Sequence, residues 1–149
     1  MAWTTPTQAD VLAALSGPER DAVQTAALAA GQADPVAAAL ATAVDEARGR
    51  IAANRENKLG LAGTIPATVL HHVVAVARWR MLSRLPVPEL ATETRRQEYD
   101  AAMAFLRDVA AGRVAIETPA AESDEARPLR RPSISGRAGT YGRASQEGL

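Results

Sequence analysis

The sequence predicts an all-α fold: a small bundle of about four to five helices in residues 1–116, with an extended or disordered C-terminal arm in residues 117–149. Hydrophobic residues make up 47% of the chain but aromatic residues only 3%, so the apolar content is mostly Ala, Val and Leu, as in closely packed helices. Apolar residues recur at helical spacing between start and stop signals. Residues 117–149 lack any such period and are rich in Pro, Gly, Ser and charge.

Helix-capping motifs mark the first two helices. Thr7-Gln-Ala-Asp10 resembles a capping box, in which a hydroxyl and a carboxylate accept hydrogen bonds from free backbone N–H groups. Ser16-Gly-Pro-Glu19 has the same pattern, so it ends a short first helix and begins a second. We expect the second helix to reach about Ala30 and to stop at Gly31.

Asp34 and Pro35 predict the start of a third helix, because Asp caps free N–H groups and Pro is preset for the first turn. One apolar stripe follows at spacings of four, four, three and four residues: Val36, Leu40, Val44, Ala47 and Ile51. This helix should end near Asn54, and a loop with two glycines should cover residues 55–64.

The fourth helix is predicted to start at Pro66 and to run to about Leu85, where Pro86-Val-Pro88 ends it. Its apolar residues occupy nearly every direction around the axis, which indicates a helix at the centre of the domain. Trp79 lies on it, and its bulk predicts a core anchor.

The last helix is predicted to start around Thr92 or Thr94 and to end at Gly112, in the usual C′ position. Six residues form its expected buried stripe: Tyr99, Ala102, Met103, Leu106, Val109 and Ala110.

Composition excludes several classes of protein. The 17 Lys and Arg balance the 17 Asp and Glu, so no net field draws the molecule to nucleic acid or to an anionic membrane. The absence of Cys excludes disulfides, thiolate catalysis and Cys-based zinc sites. The longest apolar stretch, near Val69–Ala77, is too short to span a bilayer, and no signal peptide is evident. We therefore expect a protein of the bacterial cytoplasm or one that is assembled there.

No residue pattern indicates catalysis, a metal site or a cofactor, so we expect a protein that is not an enzyme. His71 and His72 point about 100° apart on a helix and cannot chelate one metal as an i, i+4 pair does, so a helix or subunit contact is favoured. Four acidic residues should lie on solvent faces or in intersubunit salt bridges: Asp45, Glu46, Glu98 and Asp100. Gly60-Leu-Ala-Gly63 lacks the ending of a phosphate loop.

Residues 7–30 have the length of a helix-turn-helix, which keeps a small DNA-binding protein open as the alternative function. The second helix offers only Arg20 between two acidic residues, although a recognition helix needs basic and polar residues. An arginine-rich arm could also contact DNA, dock on a protein or stay solvated.

The fourth and last helices contain sequence motifs that resemble those of a known protein family. The fourth has a Pro-led start, Ile65-Pro-Ala-Thr-Val-Leu, and the pattern Ala77-Arg-Trp-Arg80; the last has Glu98-Tyr-Asp-Ala-Ala and closes with Leu106-Arg-Asp-Val-Ala-Ala-Gly112-Arg-Val. Over roughly residues 34–116 the chain resembles a family of tailed-phage proteins found in Mu-like prophages, which are similar to head–tail connector adaptors that bind beneath the portal.

The resemblance implies a structural subunit of the virion neck, at the head–tail interface. Such a subunit forms a ring under the portal, by analogy a dodecamer, and joins the head to the tail around the DNA channel. Its expected partners are the portal protein, neighbouring adaptor subunits, a stopper or tail-completion protein, and DNA that passes without sequence recognition. The expected core or intersubunit residues on the two helices are Arg78, Trp79, Arg80, Tyr99 and Leu106.

The arm is expected to clamp the portal, as the C-terminal segment of such adaptors commonly does. Four of its acidic residues, Glu117, Glu122, Asp124 and Glu125, precede five arginines, and apolar residues are interleaved with the arginines. Apolar side chains gain nothing from a phosphate backbone but can fill pockets between protein subunits. The candidate portal-binding residues are Arg127, Leu129, Arg130, Arg131, Ile134, Arg137, Tyr141 and Arg143.

Overall fold

A computed structural model describes residues 3–27 and 34–120 of the chain. Within these ranges the structure is mostly helical, with two short strands and two 3-10 turns, and the predicted all-α class is confirmed. The strands are β1 (Trp3–Thr4) and β2 (Ile65–Pro66), and the 3-10 turns are Ala67–Val69 and Pro88–Leu90. The helices are α1 (Gln8–Ala13), α2 (Gly17–Ala27), α3 (Pro35–Ala53), α4 (Leu70–Leu82) and α5 (Glu93–Ala110).

The predicted helix starts of α1 and α3 are confirmed by their caps. The Thr7 hydroxyl accepts a hydrogen bond from the Asp10 N–H, and the Asp10 carboxylate accepts one from the Thr7 N–H at 2.7 Å, which makes a complete capping box. At α3, Asp34 Oδ1 accepts a hydrogen bond from the Val36 N–H at 2.9 Å. The predicted end of α2 near Ala30 lies outside the described residues.

Helix α4 is the centre of the domain, and α3 and α5 pack on it most extensively. The six consecutive residues Val73–Arg78 are all buried, as are Met81 and Leu82, so this helix has few directions open to solvent. The predicted stripe of α3 is buried along its whole length. Val11, Leu15 and Val23 extend the same core beneath α1 and α2.

The predicted bounds of α4 are wrong at both ends. Pro66 belongs to β2, and a 3-10 turn separates it from the first α-helical residue, Leu70. The helix ends at Leu82, three residues before the predicted Leu85. Residues 83–85 continue as tight turns, with the Leu85 N–H donating to the Leu82 carbonyl, because Pro86 disfavours the α conformation in the residue before it.

Two strands that the sequence analysis did not predict join the N-terminus to the start of α4. Trp3 pairs with Pro66, and Thr4 with Ile65, in antiparallel register. The Trp3 ring lies so close to Gly60 that a Cβ there would be 2.6 Å from its Cε3 atom, so this contact requires glycine.

The end of α5 is as predicted at Gly112, whose φ is +74°. The Gly112 N–H donates to the Val109 carbonyl at 3.1 Å and the Arg113 N–H to the Asp108 carbonyl at 2.9 Å, which is a Schellman motif. Of the predicted stripe, Ala102, Leu106 and Val109 are buried, and the others are half-buried.

Trp79 is only partly buried, so the expectation that it is a core anchor is wrong. Its ring centroid lies 6.1 Å from that of Tyr99, which is also half-buried, at the edge between α4 and α5. A helix that is apolar on most sides must still have one edge nearest to solvent, and periodicity does not identify that edge.

We expect Leu82→Ala to lower the free energy of unfolding by about 2–5 kcal/mol, because Leu82 is fully buried and the substitution leaves a cavity. Trp79→Ala should cost less, about 0.5–3 kcal/mol, the usual range for a substitution outside the fully buried core, because Trp79 is only partly buried. Urea denaturation at neutral pH measures both values. A larger loss for Trp79→Ala than for Leu82→Ala would show that the indole is part of the core.

Candidate interaction surface

Arg78 is a buried charge at the centre of the domain, only 8% exposed. Its Nη1 donates to the Ala14 carbonyl at the end of α1 at 2.8 Å, and its Nη2 pairs with Glu98 on α5. Burial, followed by the nearby charge of Arg95, lowers the pKa of Arg78, while the carboxylates of Glu98 and Glu19 oppose that effect. The buried guanidinium therefore has partners on two other helices.

Glu19 and Arg95 extend this network to α2. Arg95 forms a bidentate salt bridge with Glu19, in which Nε donates to Oε1 at 2.8 Å and Nη2 donates to Oε2 at 3.1 Å. The Nη1 atom of Arg95 also pairs with Glu98 at 3.2 Å. The Ser16 N–H donates to Glu19 Oε2 at 2.6 Å. Burial alone would raise the pKa of Glu19, but the hydrogen bonds from Arg95 and Ser16 outweigh it and hold the pKa below its ordinary value.

Arg80 is paired within the chain in the same way. It forms an ion pair with Glu46 on α3, and Arg50 reaches the other Glu46 oxygen at 3.3 Å. Glu46 and Glu98 are thus partly buried partners of arginines on α4, whereas Asp45 and Asp100 are exposed. Leu106, in turn, is a core residue, 1% exposed.

A groove of about 670 Å³ lies between α1, the first half of α4 and α5. Small apolar side chains form much of its wall, among them Ala13, Ala14, Ala75 and Ala101. The paired Arg78 and Glu98 lie at the groove, as do Asp10 and the two histidines.

His72 contributes an uncharged surface to this groove. Its ring stacks on Phe105, with centroids 3.9 Å apart and planes 14° from parallel, and the His71 ring lies 4.0 Å away. Burial, followed by the charge of His71, lowers the pKa of His72 to about 4, so the ring is neutral at physiological pH. Within residues 3–27 and 34–120, no group of His, Cys, Asp or Glu side chains could hold a metal ion.

The first residues of the predicted arm lie against the domain. The Trp3 Nε1–H donates to the Glu117 carbonyl at 2.8 Å, and the Thr68 hydroxyl donates to Glu117 Oε2, also at 2.8 Å. Pro119 is buried. The chain therefore leaves the domain beside β1 and the start of α4. The eight candidate portal-binding residues, Arg127 to Arg143, lie outside the described residues.

Sequence reasoning missed two contacts that join distant parts of the chain, Glu19 with Arg95 and Trp3 with Glu117. The Ser16–Glu19 motif identified Glu19 as a capping residue, but no local signal pairs it with Arg95, 76 positions away. Trp3 and Glu117 are 114 positions apart, and two β-prone residues are too few to show a period.

A protein-family model described as Bacteriophage Mu, Gp36 matches residues 6–131 of the chain. The matched region covers the helical domain and continues into the predicted arm. No curated protein and no solved structure matches the chain. No helix in the described part of the chain is both long and apolar enough to cross a membrane.

We expect Glu19→Gln to lower the free energy of unfolding at neutral pH by about 1.5–3 kcal/mol, the usual contribution of hydrogen bonds to a charged group. Because the folded-state pKa of Glu19 lies below its ordinary 4.5, the wild type has this stabilisation above pH 4.5 and loses it as the pH falls through the folded value. The difference between variant and wild type should therefore shrink in acid, as urea denaturation across pH 3–7 would measure.

Asp21→Asn is the matched control for that series, because Asp21 is exposed on the same helix. It should change the free energy of unfolding by less than about 0.5 kcal/mol at any pH in the series. A Glu19→Gln difference that stayed constant down to pH 3 would contradict the ion-pair account.

Proposed function

Because this chain belongs to the bacteriophage Mu Gp36 family, we propose that this phage protein is a non-enzymatic head–tail connector subunit of the virion neck. In this role it forms a ring beneath the portal and joins the head to the tail around the DNA channel. Its partners are the portal protein, neighbouring copies of itself, a stopper or tail-completion protein, and DNA that passes without sequence recognition.

The observation that supports this role most is the fixed root of the arm. Glu117 is attached to the domain by hydrogen bonds from Trp3 and Thr68, so the following chain starts from a defined point on a folded body. Residues 121–149, if extended, could reach roughly 95 Å, which is enough to pass from one ring into the next. The family match includes the first part of this segment, up to residue 131.

The internal pairing of the central arginines also suits a structural role. Arg78 and Arg80 are satisfied by Glu98 and Glu46 of the same chain, so they stabilise the subunit itself. Contacts with neighbouring copies would then come from groups at the surface of the domain and from the arm.

The alternative function, a small DNA-binding protein, finds little support in α2. Arg20 on this helix donates to the Leu12 carbonyl at 2.8 Å, and Glu19 is buried against Arg95. A recognition helix needs basic and polar side chains directed at base edges, and α2 has Arg20 as its one basic residue. DNA binding by the isolated protein that weakens steeply with salt would favour this alternative.

We expect truncation after Ala120 to abolish binding to isolated portal rings while the helical domain stays folded. The cut keeps the Glu117 contacts and Pro119, so circular dichroism should show the same number of helical residues per molecule. A pull-down on immobilised portal rings measures binding, and a count of infectious particles should fall sharply. Truncated protein that binds portals with unchanged affinity would contradict the role of the arm.

A triple variant separates apolar from electrostatic contact in the arm. Replacing Leu129, Ile134 and Tyr141 by Ser keeps every arginine. Loss of portal binding would support apolar docking on protein, because a phosphate backbone or a purely electrostatic contact does not need these side chains. Unchanged portal binding by the triple variant would mean that the arginines, and not the apolar side chains, make the contact with the portal.

A further inference from the structure

Leu61 is an exposed hydrophobic residue on the surface of the domain. Among the residues that the structure describes, it is the one large hydrophobic residue that is exposed, with 58% of its surface accessible to solvent. It lies in the loop between α3 and β2, which we call the Leu61 loop (residues 55–64). Single exposed apolar residues are common on protein surfaces and mark nothing by themselves.

The backbone around Leu61 is held from inside the domain. Arg48, which is buried on α3, donates to the carbonyls of Gly60 at 3.2 Å, Leu61 at 3.0 Å and Thr64 at 2.7 Å. The Thr64 N–H and hydroxyl both donate to the Leu61 carbonyl as well. A backbone fixed in this way loses little further conformational freedom when the side chain that it carries is bound, and such preorganisation favours binding.

Gly60 and Gly63 make the shape of this loop possible. The Trp3 ring packs against Gly60 from one side, where any Cβ would clash with it. Gly63 has a φ of +74°, which allows the turn that brings the Thr64 carbonyl to Arg48. The loop is therefore fixed from both sides, with the Leu61 side chain left exposed.

The groove between α1, α4 and α5 is an apolar recess on the same molecule. Its wall has alanines where larger side chains would fill it, and Ala13 and Ala101 are exposed. Leu61 does not line the groove of its own chain. An apolar projection and an apolar recess at two different places on one surface are the elements of a head-to-tail contact, which closes into a ring when the rotation permits.

We propose that Leu61 of one copy inserts into this groove of the next copy, so that the Leu61 loop and the groove form the repeated contact of the ring. The charges around the two surfaces agree with this pairing. Arg55 and Lys58 in the loop outnumber its single acidic residue, Glu56. At the groove, Asp10 is an additional negative charge, since Arg78 and Glu98 balance each other. The inference deepens the proposed connector role and rests on it.

A cysteine crosslink tests the contact directly, because the chain has no native cysteine. The double variant Leu61→Cys/Ala101→Cys is expressed during infection in place of the wild type, and purified particles are oxidised and run on a non-reducing gel. A head-to-tail ring should yield a ladder of dimers, trimers and longer species. Leu61→Cys alone and Ala101→Cys alone should yield no ladder.

The outcomes separate the ring contact from the connector role. Particles that contain the chain but show only monomer, an internal crosslink or dimers alone would overturn the ring contact and leave the connector role standing. Wild-type particles that lack the chain altogether would overturn both. The double variant Leu61→Cys/Ser83→Cys is the matched control, because Ser83 is exposed at the end of α4 and does not line the groove. A ladder from this control would mark the crosslinks as nonspecific and count against the contact.

A second variant does not depend on disulfide geometry. Leu61→Ser should leave the free energy of unfolding of the isolated subunit unchanged, because the side chain is already exposed, but should reduce the amount of the chain retained in particles at least tenfold. Ala62→Ser, at the adjacent exposed position, should be retained like the wild type. Normal retention of Leu61→Ser would overturn the proposal.

Discussion

The rest of this structure depends on the burial of Arg78 in a helix that is enclosed on most sides. A charged group removed from water without partners is strongly destabilising, so an arginine at this place requires carbonyl and carboxylate oxygens close to it. Those oxygens come from Ala14 at the end of α1 and from Glu98 on α5, and Arg95 connects Glu98 to Glu19 on α2. The positions of four helices are thereby coupled through one network of hydrogen bonds.

A second buried arginine, Arg48, holds a surface loop in place, whereas Arg78 connects helices in the interior of the domain. By donating to three carbonyls of one loop it fixes the backbone against which Trp3 packs. Trp3 in turn pairs with β2 and donates to Glu117 at the root of the arm. The Leu61 loop and Glu117, where the predicted arm begins, are therefore both held by contacts with the same part of the domain. The proposed connector role would use this arrangement, because the contacts of a ring subunit must keep a fixed geometry from copy to copy.

Much of the helical framework could be predicted from the sequence because the signals that define it are local. The capping box at Thr7, the Asp34 cap and the Gly112 terminus each depend on residues within a few positions of one another, and all three are present in the structure. The apolar stripe of α3 was predictable for the same reason. Periodicity failed at Trp79, since it indicates that a helix is enclosed but not which of its edges lies nearest to solvent.

The sequence by itself thus determined the fold class, most helix starts and the family resemblance, while the tertiary structure alone decided which charges meet and where the ends of the domain lie. Glu19 and Arg95 are 76 positions apart in the sequence, and Trp3 and Glu117 are 114 positions apart. Each pair forms its hydrogen bonds only when the helices between the two residues have packed. The pairing of β1 with β2 involves two residues on each side and leaves no periodic trace. Helix turns and caps are stabilised by residues a few positions apart, so the local sequence predicts them. Contacts between distant residues form only in a packed core, which no single segment of the sequence specifies.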